Sequence, residues 1–256
     1  MTEQLYEKLT NGEIVIGTHV FAGMPLLTET MAQCGYDVLW LDMEHTAIGV
    51  EALCNNLIAA RAGGTPAWVR IAWNDPVLAK PVLDMGADGI IFPYVRTANE
   101  AKLAAAACTY PLDGVRGYGP MRAANFGAIS QKEYITDTYR HCRRVIQIEH
   151  VDAVHNLEEI AQVEGIDAFI IGLNDLSASV GHLGEFRHPD VFPMYAQIAD
   201  ILRKYRKPFG VSIAYDEELI AYWKQLGATI FFAGCDAGYV FEGSQSMRRN
   251  LNNLLK

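Results

Sequence analysis

The stretch Val145-Ile146-Gln147-Ile148-Glu149-His150 sets the pattern from which the fold is read. Gln147 and Glu149 stand two residues apart, so on an extended chain they share one face while Ile146 and Ile148 share the other. An amide and a carboxylate aimed at one end of an apolar strand are costly unless something there binds them. Working outward, short apolar runs of the same kind recur at 14–20, 38–41, 67–72, 89–94, 145–148, 168–171, 209–213 and 229–233. Between and after them lie segments of helical periodicity at 26–34, 50–62, 76–85, 99–107, 153–163, 191–205, 217–226 and 244–254. Strands that are apolar throughout and alternate with helices belong to parallel sheets covered on the outside. Eight such units in 256 residues have the count and size of an α/β protein of the (β/α)8 TIM-barrel class, one domain over 1–256. The competing open doubly wound sheet usually carries a glycine-rich phosphate turn. Here the nearest approach, Gly117-Tyr-Gly119, has Arg122 where the third glycine would stand.

Half of the residues are hydrophobic, a fifth are charged, and the formal charge is −9. That balance argues against nucleic acid or an anionic membrane as a partner, since both select basic surfaces. The polar, acid-containing start Thr2-Glu-Gln-Leu-Tyr-Glu-Lys8 lacks the basic and apolar parts of a signal peptide. Runs such as Gly89-Ile-Ile-Phe-Pro93 and Thr229-Ile-Phe-Phe-Ala-Gly234 are far too short to span a bilayer. Cys34, Cys54, Cys108, Cys142 and Cys235 are odd in number, scattered and without a C-x-x-C pair, as expected of a reduced cytoplasmic chain. The irregular segment 109–135, containing Asp113-Gly-Val-Arg-Gly-Tyr-Gly-Pro-Met-Arg122, is expected to be an enlarged loop over the catalytic face.

In a barrel the chemistry lies where strands end. The second run ends in Leu41-Asp42-Met43-Glu44-His45, the third in Val69-Arg70-Ile-Ala-Trp-Asn-Asp75, the fifth in Gln147-Ile-Glu149-His150 and the sixth in Gly172-Leu-Asn174-Asp175. Singly, each has a plain structural reading. Asp75 before Pro76 reads as a helix cap, and Asp175 reads equally as a cap or as a site residue. Arg70 alone could be an ion-pair partner in the barrel mouth, and His45 alone a satisfied loop or core histidine. Taken together, Glu149 and Asp175 supply two oxygen ligands of the kind that hold Mg²⁺ or Mn²⁺, with water and substrate completing the shell. No His or Cys is arranged with them as zinc would require. None of the eight lysines falls at a strand end, so a Schiff base has no candidate and carbanion chemistry needs a metal as electron sink.

These motifs carry a family resemblance. Gly35-Tyr-Asp-Val-Leu-Trp-Leu-Asp42-Met-Glu-His45, Val69-Arg70-Ile-Ala-Trp-Asn-Asp75-Pro76, Asp84-Met-Gly-Ala-Asp-Gly-Ile-Ile-Phe-Pro93, Gly114-Val-Arg-Gly117, Gln147-Ile-Glu149 and Ile171-Gly172-Leu-Asn-Asp175-Leu-Ser177 stand in the same order nearly end to end. The chain thereby resembles the HpcH/HpaI family of metal-dependent (class II) pyruvate aldolases. Members act on substrates of the 4-hydroxy-2-oxoheptanedioate, 2-dehydro-3-deoxyglucarate and 2-keto-3-deoxy-L-rhamnonate kind. The resemblance implies a (β/α)8 barrel built as a homohexamer, a trimer of dimers, with the last helix, about 244–254, exchanged between neighbours. It implies reversible cleavage of a 4-hydroxy-2-oxo acid to pyruvate and an aldehyde through a metal-stabilised enolate, with Mg²⁺, Mn²⁺ or Co²⁺ as cofactor.

By position, the resemblance makes Glu149 and Asp175 the metal ligands. Gln147, the Gly172 backbone, Asn174 and Asp175 would hold the pyruvate, and His45 would be the base. Asp84 would raise the basicity of His45, with Asp42 as a competing support, and Arg70 would stabilise the developing enolate. Imidazole side chains titrate close to neutral pH and suit proton exchange there, while fixed donors such as a guanidinium contribute about 3 kcal/mol each at developing charge. Two positions depart from the family pattern: Asn174 stands where a small residue is common, and Met43 replaces a small residue between Asp42 and Glu44. Two other functions stay in play. One is a citrate-lyase-like acyl-CoA lyase, disfavoured by the His45 motif; the other is a non-catalytic metal-dependent 2-oxo-acid binding protein.

Overall fold

The computed structural model describes residues 2–256; Met1 lies outside the described residues. Eight parallel strands close into a barrel in sequence order: β1 (Val15–Val20), β2 (Val38–Asp42), β3 (Ala67–Arg70), β4 (Gly89–Phe92), β5 (Arg143–Ile148), β6 (Ala168–Gly172), β7 (Phe209–Ile213) and β8 (Ile230–Cys235). Helices fill the crossovers, as parallel pairing demands. They are α1 (Thr2–Asn11), α2 (Pro25–Ala32), α3 (Val50–Gly63), α4 (Pro76–Asp84), α5 (Ala98–Ala107), α6 (Gln131–Thr136), α7 (Val151–His155), α8 (Leu157–Ala161), α9 (Leu173–Ala178), α10 (Phe192–Lys204), α11 (Glu217–Gln225) and α12 (Asp236–Leu254).

Alternation along the strands sorts the core into two layers. Val38 and Trp40 of β2, Trp68 of β3, Val145 of β5 and Phe232 of β8 fill the interior together with Leu5 and Leu9 of α1. Leu39, Leu41, Val69, Ile146 and Ile148, the alternate residues, join the larger core between sheet and helices. The indole of Trp40 meets the Phe232 ring edge-on at 5.0 Å between centroids, a favoured aromatic geometry. Because α1 leads into β1 and its leucines enter the interior cluster, it plugs the N-terminal end of the barrel, leaving the C-terminal end for polar groups.

Three expectations change. The helix expected at 153–163 is two short ones, α7 and α8, separated at Asn156, whose side chain donates to the Arg96 carbonyl instead of facing solvent. The last helix begins at Asp236, not near 244. The segment 109–135 does not lie over the catalytic face. The α5 helix has already carried the chain back from the end of β4, so the segment sits at the N-terminal end of the barrel. There Arg116 pairs with Asp84 at 3.2 Å, and the Ala123 amide donates to the Asp84 carbonyl.

Candidate active site

The ends of β2, β3 and β5 bring four of the expected residues into one bonded cluster. Arg70, the last residue of β3, is buried and grips Asp42 with both arms of its fork. Nε lies 2.9 Å from Oδ1 and a terminal nitrogen 2.6 Å from Oδ2. The other terminal nitrogen reaches Glu44 Oε2 at 2.9 Å and donates to Gln147 Oε1 at 3.4 Å. Gln147 in turn donates to Glu149 Oε2 at 2.7 Å, and the Tyr94 amide donates to Glu149 Oε1 at 2.6 Å. Tyr94 holds a positive φ of 56°, which turns its N–H toward the carboxylate just past β4. Gly172 leaves the room this requires: a Cβ there would lie 2.7 Å from Glu149 Oε2 and 3.1 Å from Gln147 Nε2.

The electrostatics follow from burial. Glu149, 3 % exposed, is pushed up to about 7, chiefly by desolvation. The Tyr94 amide opposes that rise, while the negative fields of Glu44 and Asp175 add to it. Burial also holds Glu44 above the usual carboxylate range, with Arg70 and His45 pulling it back and Asp42 and Asp175 adding to the rise. Burial alone would lower Arg70, yet the hydrogen bonds and charge of Asp42 win and raise it.

Asp175 stands in the first turn of α9, whose N-cap is Gly172, so it is not a helix cap; it is exposed and within electrostatic reach of Glu149 and Glu44. Asn174 beside it is exposed as well. Asp75 is the cap that the sequence suggests, accepting from the Val77 amide at 2.7 Å. The His45 side chain is 65 % exposed, with Nε2 3.5 Å from Glu44 Oε2.

Within one chain, the two residues expected to support His45 have other partners. Both carboxylate oxygens of Asp42 are engaged by Arg70, and Oδ1 also accepts the Glu44 amide. Asp84 is the last residue of α4, which runs from the end of β3 back to the start of β4, so it lies at the opposite end of the barrel from His45 and pairs with Arg116. The sequence reading missed Glu44 and Tyr94. Glu44 was visible as the second acidic or basic group of Asp42-Met-Glu44-His45; the Tyr94 contribution is a backbone amide and left no side-chain signal.

The cluster fits a divalent cation. The fields of neighbouring carboxylates, Asp175 among them, add to the raised proton affinity of Glu149 and Glu44 around a single guanidinium, and a cradle emptied by Gly172 holds Glu149. A second group, His182, His188 and Asp190, has its ligand atoms within 4.8 Å of one another on the loop between α9 and α10. Within it, His182 Nε2 lies 3.2 Å from Asp190 Oδ2, and His188 Nδ1 accepts the Asp190 amide. Its imidazoles stack at 3.3 Å with planes 19° apart.

An eight-stranded parallel barrel with carboxylates, an amide and an arginine gathered at the strand ends defines the class of barrel enzymes, with that mouth as the candidate active site. The chain belongs to the HpcH/HpaI aldolase/citrate lyase family, whose profile matches residues 16–242, and it is an aldehyde-lyase. It is 32 % identical over 236 residues to 5-keto-4-deoxy-D-glucarate aldolase of Escherichia coli O9:H4 (strain HS), covering 92 % of this chain and 91 % of that protein. Among solved structures, a HpcH/HpaI aldolase/citrate lyase family protein from Burkholderia cenocepacia J2315 superposes with a TM-score of 0.89 at 28 % identity, over 97 % of this chain and 99 % of that one. The citrate synthase SbnG superposes with a TM-score of 0.86 at 29 % identity, over 98 % of each chain.

Proposed function

We propose that the protein catalyses the reversible aldol cleavage of a 4-hydroxy-2-oxo acid, of the 2-dehydro-3-deoxy sugar-acid type, to pyruvate and an aldehyde, with a divalent cation as cofactor. The observation that carries this reading is the chain of contacts from Asp42 and Glu44 through Arg70 to Gln147 and Glu149. It presents fixed positive charge beside a buried carboxylate in a mouth of acids. The sugar-acid substrate class is supported by the activity for which the Escherichia coli relative is named.

Glu149 and Asp175 would hold Mg²⁺, Mn²⁺ or Co²⁺, with Glu44 adding negative field. The bound cation supplies Lewis-acid polarisation of the 2-oxo group. Gln147, the Gly172 backbone and Asn174 line the place of the pyruvate carboxylate and carbonyl. Arg70, locked by Asp42, keeps its donors aimed where oxygen charge develops, with no reorganisation during reaction. In the cleavage direction the C4 hydroxyl loses its proton to His45, directly or through a water, the C3–C4 bond breaks, and the aldehyde departs. The electron pair left on the three-carbon fragment then takes a proton at C3 and gives the pyruvate methyl. Glu44 is the carboxylate beside His45 within one chain; a role for Asp84 there would require a second copy.

A second copy is also what α12 fits. Val240, Met247, Leu251 and Leu254 are all exposed and form one stripe along that helix, so we read it as the element exchanged in a homo-oligomer. No helix among the described residues is long and apolar enough to cross a membrane, and a cytoplasmic location agrees with free cysteines throughout. The test is pyruvate release from a racemic 4-hydroxy-2-oxo sugar acid, followed with lactate dehydrogenase. Release that stops with EDTA and returns with Mg²⁺ supports the reading. No release from such acids together with cleavage of an acyl-CoA thioester would replace it with the citrate-lyase-like one.

A further inference from the structure

A buried histidine and a serine that play no part in this chemistry meet inside the same mouth. His19 of β1 is 6 % exposed, and its Nε2 lies 2.9 Å from Ser212 Oγ of β7. Strand β8 separates β1 from β7, so these side chains reach each other only across the barrel interior. Ser212 stands in register with Gly172 on the neighbouring strand, the glycine that makes room for Glu149 and Gln147. His19 has Asp42 and Arg70 in its electrostatic surroundings, together with Asp236. The pair therefore lies beside the cluster, on the β1 and β7 side of the barrel, and has no part in the contacts described so far.

The tautomer follows from the partners. His19 Nδ1 lies 2.8 Å from the Gly234 carbonyl, which can only accept, so Nδ1 carries the proton. That carbonyl, which also accepts from the Thr18 hydroxyl at 3.3 Å, is turned out where β8 slips against β1: Gly17 pairs with Phe232 but His19 with Cys235, and the extra residue leaves Gly234 at a positive φ of 70°. With Nδ1 protonated and the ring neutral, as its strong desolvation requires, Nε2 is an acceptor and must take the Ser212 proton. The serine hydroxyl is then left with lone pairs alone to offer a further partner. A neutral hydroxyl that can only accept favours a hydroxyl donor and gives nothing to a carboxylate or an alkyl group.

We infer that the His19–Ser212 pair is the specificity determinant of the acceptor side, recognising a hydroxyl group on the aldehyde portion of the substrate. This rests on the aldolase reading and narrows it to hydroxylated aldehydes. Ser212 touches the substrate, and His19 is a positioning residue that acts through it.

Two measurements test it. In aldol addition of pyruvate, Ser212→Ala should lower the ratio of kcat/KM for glycolaldehyde over acetaldehyde by about tenfold, the worth of one hydrogen bond, and Ser212→Thr should restore most of it. An unchanged ratio overturns the inference. In protein labelled with ¹⁵N-histidine, His19 should show a protonated Nδ1 and a bare Nε2 at pH 7. Its Nε2 signal should move with glycerate but not with propionate, and the shift should vanish in Ser212→Ala. A protonated Nε2, or equal shifts with both acids, overturns the inference. This second readout needs no turnover, so a chain inactive with every aldehyde would contradict the aldolase reading while the histidine signal still decides the role of the pair.

Discussion

Arg70 shows how one residue ties stability to chemistry. Its partner Asp42 is 0 % exposed, so removing the guanidinium leaves a buried carboxylate without its counter-charge. Arg70→Ala should therefore destabilise the fold by about 3–5 kcal/mol as well as abolish turnover, measured by urea unfolding alongside kinetics. Arg70→Lys keeps the charge but not the fork, and should cost less stability while lowering kcat by on the order of 100-fold. His19 gives a pH signature. Burial, opposed by the Gly234 carbonyl, pushes it down to about 4, whereas the unfolded chain protonates it near 6.5. Between those values the unfolded state binds the extra proton, so stability rises with pH across the window and is lost as pH falls through it, by on the order of 3 kcal/mol. Glu149, raised to about 7, works in the opposite sense between the usual carboxylate range and neutrality. The difference between the wild type and His19→Gln isolates the histidine: unfolding free energies at pH 6.5 and 4.5 should fall more steeply in the wild type. At this scale Arg70, Gln147, Glu149 and Asp175 were legible because strand ends mark them. Tyr94 and the Gly234 carbonyl were not, because each acts through backbone set by a positive φ.

At the scale of elements, the decisive features are places where a strand gives way to a turn. Gly172 closes β6 and caps α9 with φ −93°, a conformation any residue adopts, so its need for glycine is purely spatial. Gly172→Ala should fold, yet its Cβ displaces the Glu149 carboxylate. Mn²⁺ affinity measured by calorimetry should drop more than tenfold, and unchanged affinity would remove Glu149 from the ligand set. In the barrel interior Phe232 packs against both Trp40 and Trp68, so Phe232→Ala should cost about 3–5 kcal/mol in chemical denaturation. The sequence placed the eight strands within a residue or two because their apolar runs are buried on both faces. It misjudged segment 109–135, since composition marks a loop as irregular but not at which end of the barrel it lies. That depends on α5 having already made the return journey. The split at Asn156 escaped for a related reason: its amide takes the Arg96 carbonyl, a contact 60 residues distant.

At the scale of the whole molecule, polarity is segregated along the barrel axis. The leucines of α1 close one end, and acids focused on one arginine occupy the other, within a chain of net charge −9. That arrangement favours a cation and a small anion bound together over any extended polyanion. The apolar stripe on α12 predicts an assembly: light scattering should give a multiple of the chain mass, and Met247→Glu with Leu251→Glu should reduce it. The barrel was legible from periodicity because helix and strand alternate without interruption. The expected hexamer came from the family resemblance alone, because a stripe on a terminal helix names no partner. The central claim is that this mouth makes and quenches a pyruvate enolate. The most direct measurement is proton NMR of pyruvate in D₂O with the protein and Mg²⁺. The account predicts loss of the methyl signal, halted by EDTA and by Arg70→Ala. An undiminished methyl signal from pyruvate that demonstrably binds, with Mg²⁺ present, would contradict it.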